Sequence, residues 1–263
     1  MEYRVGDYSL KEIQTVMLEM LADIDRVCVK NNINYSLDSG TMLGAVRHQG
    51  FIPWDDDMDI AMTRDDYIKF TEIANKELDG KYQFQCMENT KEYPYNFGKV
   101  FCVNTTYTES FTAKLNICHG IYIDVFPMDY VDVSRPKWLA FNRSMVSKFT
   151  QLRYAHLNMI SGKRYALLKH LPLKLINTCC KKHMMYCYKK RGAYVQKLCH
   201  YGKNKPPIRS SFYTDTIRVP FENYEFPISR DYDEFLRGRY GDYMRLPSKE
   251  QQKPNHSIIG VKL

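Results

Sequence analysis

Four carboxylates crowd into five positions of the segment Gly50-Phe51-Ile52-Pro53-Trp54-Asp55-Asp56-Asp57-Met58-Asp59-Ile60. Like charges that close raise one another's pKa and cost folding energy, so chains tolerate them where a cation neutralises them. Asp57 and Asp59 are two residues apart. On an extended strand both project from one face, while Met58 and Ile60 project from the other. Two oxygen ligands at that spacing suit Mg²⁺ (or Mn²⁺), which binds through carboxylates, water and substrate phosphate. A solvated acidic turn is the alternative, but apolar residues flank the run on both sides, which such a turn does not need. A third acid, Asp124, lies in the otherwise apolar Ile121-Tyr122-Ile123-Asp124-Val125-Phe126, where it is costly to bury unless paired or metal-bound. An acid at a strand mouth with no role is the alternative there. Beside Asp57 and Asp59 it completes the three-carboxylate set of two-metal phosphoryl transfer. Asp129, past Pro127, reads as a turn or cap residue. Upstream, Gly40 and Thr41 fall where a strand gives way to a helix. A glycine there lets phosphate approach the backbone, and the helix N-terminus attracts negative charge.

The elements that must hold these residues follow from periodicity. Ser9 and Glu12 form a capping box, and Leu10, Ile13, Met17, Met20, Leu21, Ile24 and Cys28 then recur at helical spacing. Residues 33–37 read as a short strand, 41–47 as a short helix, and 58–62 as an alternating strand. Thr63 and Asp66 open a helix reaching about Leu78, and 82–87, 98–103 and 121–126 are further strands. Strands alternating with helices and a hairpin-like middle predict an α/β fold with a mixed sheet. Trp138, Phe141, Met145, Phe149 and Leu152 form one helical stripe, and Leu167, Leu168, Leu171, Leu173 and Ile176 a second, broken by Pro172. After Pro206-Pro207 come two short β-like runs and a helix from Asp231 to about Tyr240.

Charge divides the chain more sharply than its formal +8 suggests. Residues 1–133 hold 12 Lys/Arg against 22 Asp/Glu, residues 134–205 hold 17 against none, and residues 206–263 hold 9 against 8. This predicts a catalytic core over 1–133, a basic helical insertion over 134–205 and a C-terminal segment over 206–263 that completes the core. An acid-free block points to a polyanionic partner, an anionic membrane face or nucleic acid; cations that merely offset the acidic core are the plainer account. Apolar residues at 44% exclude wholesale disorder. No apolar run is long enough to span a bilayer, and the start lacks the layout of a signal peptide, so a cytoplasmic placement with reduced cysteines is expected. Cys180, His183 and Cys187 share one helical face, with Cys199-His200 further on. They have the residue types of a zinc site but no paired C-x-x-C, so buried thiols are the favoured reading.

The order of small-residue pair, short helix and acid–apolar–acid strand resembles the nucleotidyltransferase fold typified by DNA polymerase β. The stretch from Gly40 to Ile60 closely resembles the LicD family, bacterial phosphocholine transferases akin to the fukutin-related ribitol-phosphate transferases. Lys99 and Thr106, the run Ile123-Asp124-Val125-Phe126-Pro127-Met128-Asp129 and the run Tyr240-Gly241-Asp242-Tyr243-Met244-Arg245-Leu246-Pro247 support it. The resemblance implies transfer of a phospho-alcohol, phosphocholine first, from a CDP-activated donor to a hydroxyl of a cell-surface glycan precursor, with release of CMP. It implies that Asp57, Asp59 and Asp124 hold the metal and that Asp124 helps deprotonate the acceptor. Gly40 and Thr41 would touch phosphate, Arg47 and Lys99 would neutralise the departing CMP, and Thr106 joins the substrate-binding set. Family acceptors on lipid carriers favour a peripheral position on the inner membrane face over nucleic acid. Choline's quaternary ammonium would be held by aromatic faces, for which Tyr82, Tyr93, Tyr95, Phe97 and Tyr107 are candidates. The alternatives are CDP-ribitol or CDP-glycerol as donor, a true nucleotidyltransferase releasing pyrophosphate, and a basic membrane or nucleic-acid adaptor with a vestigial site.

Overall fold

A computed structural model describes residues 3–162, 170–199 and 206–263. A short hairpin, β1 (Arg4–Val5) and β2 (Tyr8–Ser9), leads into α1 (Leu10–Lys30). The capping box forms: the Glu12 backbone N–H donates to Ser9 Oγ at 3.3 Å, and the Ser9 N–H donates to the Glu12 carboxylate at 2.8 Å. The seven helically spaced apolar residues of α1 are all buried. There follow β3 (Ser36–Leu37), α2 (Ser39–His48), β4 (Asp59–Thr63), α3 (Arg64–Glu77), β5 (Tyr82–Gln85), β6 (Gly98–Cys102), β7 (Thr106–Glu109) and β8 (Tyr122–Val131). The basic block supplies α4 (Pro136–His156), α5 (Leu173–Met184) and β9 (Tyr194–Gln196). Beyond it lie β10 (Ile208–Arg209), α6 (Ser211–Thr214), β11 (Thr216–Phe221), β12 (Tyr224–Ser229), α7 (Tyr232–Tyr240) and β13 (Ile258–Lys262). Leu167, Leu168 and His200 fall outside the described residues.

The central sheet is mixed and built around β8. On one side β8 runs parallel to β4, which pairs antiparallel with β3. Its first half also pairs antiparallel with β6, and its second half with β9. The strand is longer than expected because Pro127 does not end it. Pro127 falls between the last β6 pairing, at Val125, and the first β9 pairing, at Asp129, so its missing N–H interrupts neither ladder. Asp129 is therefore no turn residue. It is buried within β8, where its carboxylate accepts two bonds from the Arg64 guanidinium at 2.8 and 3.0 Å.

Two cores flank this sheet. One gathers α1, α3 and the inner residues of β3 to β6 with Phe221, Phe226, Ile228 and Leu236 from the C-terminal segment. The other packs Phe97, Phe126 and Met128 against Leu139, Val146, Cys180, Met184 and Val195 of the basic block. Arg153, fully buried in α4, pins that block to the segment before β6. Its guanidinium donates to Asn177 Oδ1 and Asn96 Oδ1, both at 2.7 Å, and to the carbonyls of Pro94 and Tyr95, both at 3.1 Å.

Candidate active site

Register sets the floor of the site. Asp59 opens β4 directly opposite Asp124 on β8, and Lys99 on β6 lies opposite Asp124 from the other side. Two acids and a cation thus stand in one row across three adjoining strands. Asp57 precedes β4 rather than lying in it, so the expected two-residue strand alternation does not place it. The charges of Asp59, Asp55 and Asp124 nevertheless all bear on Asp57. Burial, reinforced by neighbouring carboxylates, pushes the group upward. Asp55 rises to about 7 through burial and the charge of Asp59. Asp59 rises to about 6 through burial, although Lys197 opposes it. Asp57 goes well above the usual carboxylate range, and Asp124 is raised by burial against the pull of Lys99.

Lys99 is itself buried, with its Nζ 2.7 Å from Asp124 Oδ1, 3.6 Å from Glu109 Oε2 and 3.3 Å from the centre of the Tyr122 ring. Lys99 is thus the partner of that Asp124 oxygen, and its charge opposes the effect of burial on Asp124. An all-oxygen set of mutually repelling carboxylates, every one raised despite Lys99 and Lys197, fits a hard divalent cation.

The N-terminus of α2 forms the adjoining wall. Ser39 takes a left-handed φ of 52°, and the Thr41 hydroxyl accepts the Asp59 backbone N–H at 2.8 Å, tying the helix start to the first residue of β4. A Cβ on Gly40 would lie 2.7 Å from Asp55 Oδ2, so the carboxylate can rest there only over a glycine. Two cations that sequence reading overlooked converge here. Lys197, just past β9, donates to the buried Asp38 carboxylate at 2.5 Å and lies 3.5 Å from the Phe126 ring centre. Arg239 of α7 donates to Ser39 Oγ at 2.8 Å. Burial alone would raise Asp38, but Lys197 and Arg239 outweigh it and hold the carboxyl well below its ordinary value.

Two cavities open on this floor. The first, of about 570 Å³, is lined by Gly40, Arg47, Asp55, Trp54, Tyr240 and Arg245 among others. Arg47 is steadied there by donating to the Tyr243 carbonyl at 2.9 Å. The second, of about 600 Å³, is lined by Lys99, Asp124 and Glu109 together with Tyr95, Phe97, Phe111, Phe126, Tyr154 and His256. Of the five aromatic candidates, Tyr95 and Phe97 enter this cavity, stacked 5.0 Å apart. Tyr107 instead donates to the Asp56 carbonyl at 3.1 Å, Tyr93 is buried in the main core, and Tyr82 faces Lys81. Thr106 pairs with Lys262 on β13 and lines neither cavity.

His256, which precedes β13, is the other residue the sequence did not flag. Its Nδ1 lies 3.0 Å from Asp56 Oδ1, and its Nε2 lies 3.8 Å from Asp57 Oδ2. Burial works against its charged form, but Asp56 outweighs burial and raises its pKa. Asp56, Asp57 and His256 hold ligand atoms within 4.8 Å of one another and are the sole three-ligand group that tight among the described residues. Cys180, His183 and Cys187 form no such group there; the two thiols are buried and His183 Nδ1 lies 2.9 Å from Asn142 Oδ1.

Comparison with known proteins places the chain in a family. Residues 32–161 match the LicD/FKTN/FKRP nucleotidyltransferase domain, a span that runs from just before β3 past the end of α4. The chain is 30% identical over 260 residues to the lipopolysaccharide cholinephosphotransferase LicD of Haemophilus influenzae, covering 94% of this chain and 96% of that one. Shorter matches reach two uncharacterised Rickettsia proteins. One, from Rickettsia typhi, is 45% identical over 71 residues, 27% of this chain and 23% of the relative. The other, from Rickettsia prowazekii, is 39% identical over 90 residues, 34% of this chain and 31% of the relative. With a relative matched across nearly its whole length and a domain match that contains the carboxylate floor, the chain belongs to the LicD family.

Proposed function

We propose that this chain is a phosphotransferase that moves phosphocholine from CDP-choline to a hydroxyl of a cell-surface glycan, teichoic acid or lipopolysaccharide precursor, releasing CMP. The observation that carries the reading is the row Asp59–Asp124–Lys99 across three strands, crowded with acids that need a cation. The full-length similarity to a lipopolysaccharide cholinephosphotransferase supports the choice of group and acceptor.

Asp57, Asp59 and Asp124 would hold Mg²⁺ (or Mn²⁺). Bound there, the ion supplies Lewis-acid neutralisation of the donor diphosphate. Asp124, facing the second cavity, accepts the proton of the acceptor hydroxyl, while Lys99 holds it in place. Gly40 lets the diphosphate approach the start of α2, with the Thr41 hydroxyl anchored beside it. Arg47, Lys197 and Arg239 surround that helix end and offset the charge that grows on departing CMP. In the second cavity the Lys99 ammonium already lies on the Tyr95 and Phe97 rings, at 4.9 and 5.8 Å from their centres, and the rings of Phe111 and Tyr154 are left to suit a trimethylammonium group better than the hydroxyls of ribitol or glycerol. No helix among the described residues is long and apolar enough to cross a membrane. The acid-free block suits a lipid-linked acceptor met at an anionic bilayer surface, on the cytoplasmic face in this reading.

Incubation with Mg²⁺, a lipid-linked glycan acceptor and either CDP-choline, CDP-ribitol, CDP-glycerol or a nucleoside triphosphate tests the reading. CMP released from CDP-choline in step with labelled glycan is the expected result. Pyrophosphate from the triphosphate, with no CMP from any CDP-alcohol, overturns it.

A further inference from the structure

We propose that His256 is a direct ligand of the divalent cation and that the buried Asp56 is the carboxylate that orients it. The inference rests on the metal-dependent reading above and adds a nitrogen to a donor set otherwise made of oxygen.

Asp56 is fully buried, and its side chain is committed to the loop before β13. Oδ1 accepts the Asn255 backbone N–H at 3.1 Å and faces His256 Nδ1 at 3.0 Å, while Oδ2 accepts the His256 backbone N–H at 3.0 Å. These contacts join residues two hundred positions apart. Tyr107 fixes the same residue from the other side through its bond to the Asp56 carbonyl. A carboxylate with its oxygens so occupied is poorly placed to bind metal itself, but it fixes which ring nitrogen of the histidine faces inward. Carboxylate–histidine–metal triads have this arrangement.

The other nitrogen, Nε2, faces the floor, 3.8 Å from Asp57 Oδ2. Two ligand atoms sharing one ion, each roughly 2.1 Å from it, stand about 3 to 4 Å apart, so Nε2 and Asp57 are spaced to hold a cation between them. Two further observations point to the same place. Asp56, Asp57 and His256 bring ligand atoms within 4.8 Å of one another, and Asp124, whose charge bears on Asp57, lines the cavity that His256 also lines. An imidazole donor moves preference away from Mg²⁺, which favours oxygen, toward Mn²⁺ and later first-row ions. The competing account is a charged imidazole paired with both carboxylates, in which no metal–nitrogen bond forms.

Pulsed electron paramagnetic resonance of the full chain loaded with Mn²⁺ separates the two. The expected result is a ¹⁴N coupling of an imidazole bound to manganese, absent from a folded His256→Gln chain whose Mn²⁺ affinity falls at least about tenfold. Asp56→Asn should leave the coupling in place or broadened while weakening Mn²⁺ binding by about 10- to 100-fold. Melting curves of both variants confirm that they fold. Manganese bound with no nitrogen coupling, or a coupling that survives in His256→Gln, overturns the assignment and leaves the transfer reading standing. A wild-type chain that binds no Mn²⁺ overturns both.

Discussion

Residues 1–133 and the block 134–205 both bury charge, and they treat it in opposite ways. On the floor of the first, Asp55, Asp57, Asp59 and Asp124 press on one another and every one is raised. In the second, the fully buried Arg153 meets no acid among the described residues, yet four oxygens of amides and carbonyls close around its guanidinium. A buried charge whose partners are all supplied by the fold is a structural pin. Buried like charges that outweigh the cations the fold brings to them, here Lys99 and Lys197, call for a ligand, and the carboxylate floor is that kind.

The largest effect expected is at Asp59. Asp59→Asn should lower CMP release by on the order of a thousandfold or more, since metal-assisted transfer loses a ligand. The same change removes a repelling charge, so without metal the variant should melt higher than the parent. A variant that loses activity and melts lower would mean that the floor is as structurally self-sufficient as Arg153, and the contrast would fail. Lys197 is where the two regions meet, because the acid-free block delivers this cation to Asp38 and to the neighbourhood of Asp59. Lys197→Met should slow turnover by roughly a hundredfold with a smaller change in KM, if the cation acts on the departing phosphate. It should also destabilise the fold at neutral pH by leaving buried Asp38 without its lysine. Unchanged kcat would confine Lys197 to a structural part. Arg153→Met should cost about 3 kcal/mol, read by denaturant melts, with little dependence on pH between 5 and 8.

Dependence on pH separates the regions further. Asp59 and Asp55 sit at about 6 and about 7, above the ordinary 3.8, so the folded chain binds more protons than the unfolded one between those values. Stability of the metal-free chain should therefore be greatest near pH 4 as far as these two groups decide it, and should fall as pH rises to 7. Saturating Mg²⁺ should flatten that slope, because a cation favours the ionised acids. Melting temperatures measured at several pH values, with and without the ion, give both slopes. A metal-free slope of the opposite sign over this range would sink the reading, because the paired acids Asp38 and Glu109, which are held low, lose their contribution only below about pH 4.

How much of this the sequence carries depends on the distance over which each feature is encoded. The α1 helix, the break at Ser39-Gly40 and the pairing of chemistry at Asp59 and Asp124 are legible because caps, periodicity and an acid among apolar residues are local signals. The placement of Asp57 was misjudged because β4 starts only at Asp59, and a strand boundary is not marked by alternation alone. The strand expected over 121–126 runs on through Pro127 to Val131, and only the hand-over of neighbours from β6 to β9 explains why β8 passes through a proline. Lys197, Arg239 and His256 were missed for one reason. Each is an ordinary polar residue locally, and each reaches the site by tertiary contacts spanning between 159 and 200 positions. For His256 a faint signal existed, since three consecutive acids can be buried only if some other segment brings donors to them.

The smallest effect on chemistry, and the sharpest test of what the acid-free block is for, lies on its surface. Trp138 and Phe141 on α4 stand 51% and 45% exposed with their rings stacked 5.1 Å apart. Exposed Lys137 lies beside them, and Phe141 touches His183, next to exposed Lys182 on α5. Apolar rings among cations suit the interfacial region of an anionic bilayer. The chain should therefore sediment with vesicles containing anionic lipid at low salt, release as salt rises, and ignore neutral vesicles. Lys137→Gln with Lys182→Gln should weaken that binding by about 1 kcal/mol for each charge, and Trp138→Ser with Phe141→Ser should weaken it without salt dependence. Turnover of a water-soluble acceptor should be unchanged in all of them, because these residues line neither cavity. If the parent chain ignores anionic vesicles even at low salt, the block has no membrane to meet. Its cations then serve to offset the acidic core, and the two regions differ in how they fold rather than in what they bind.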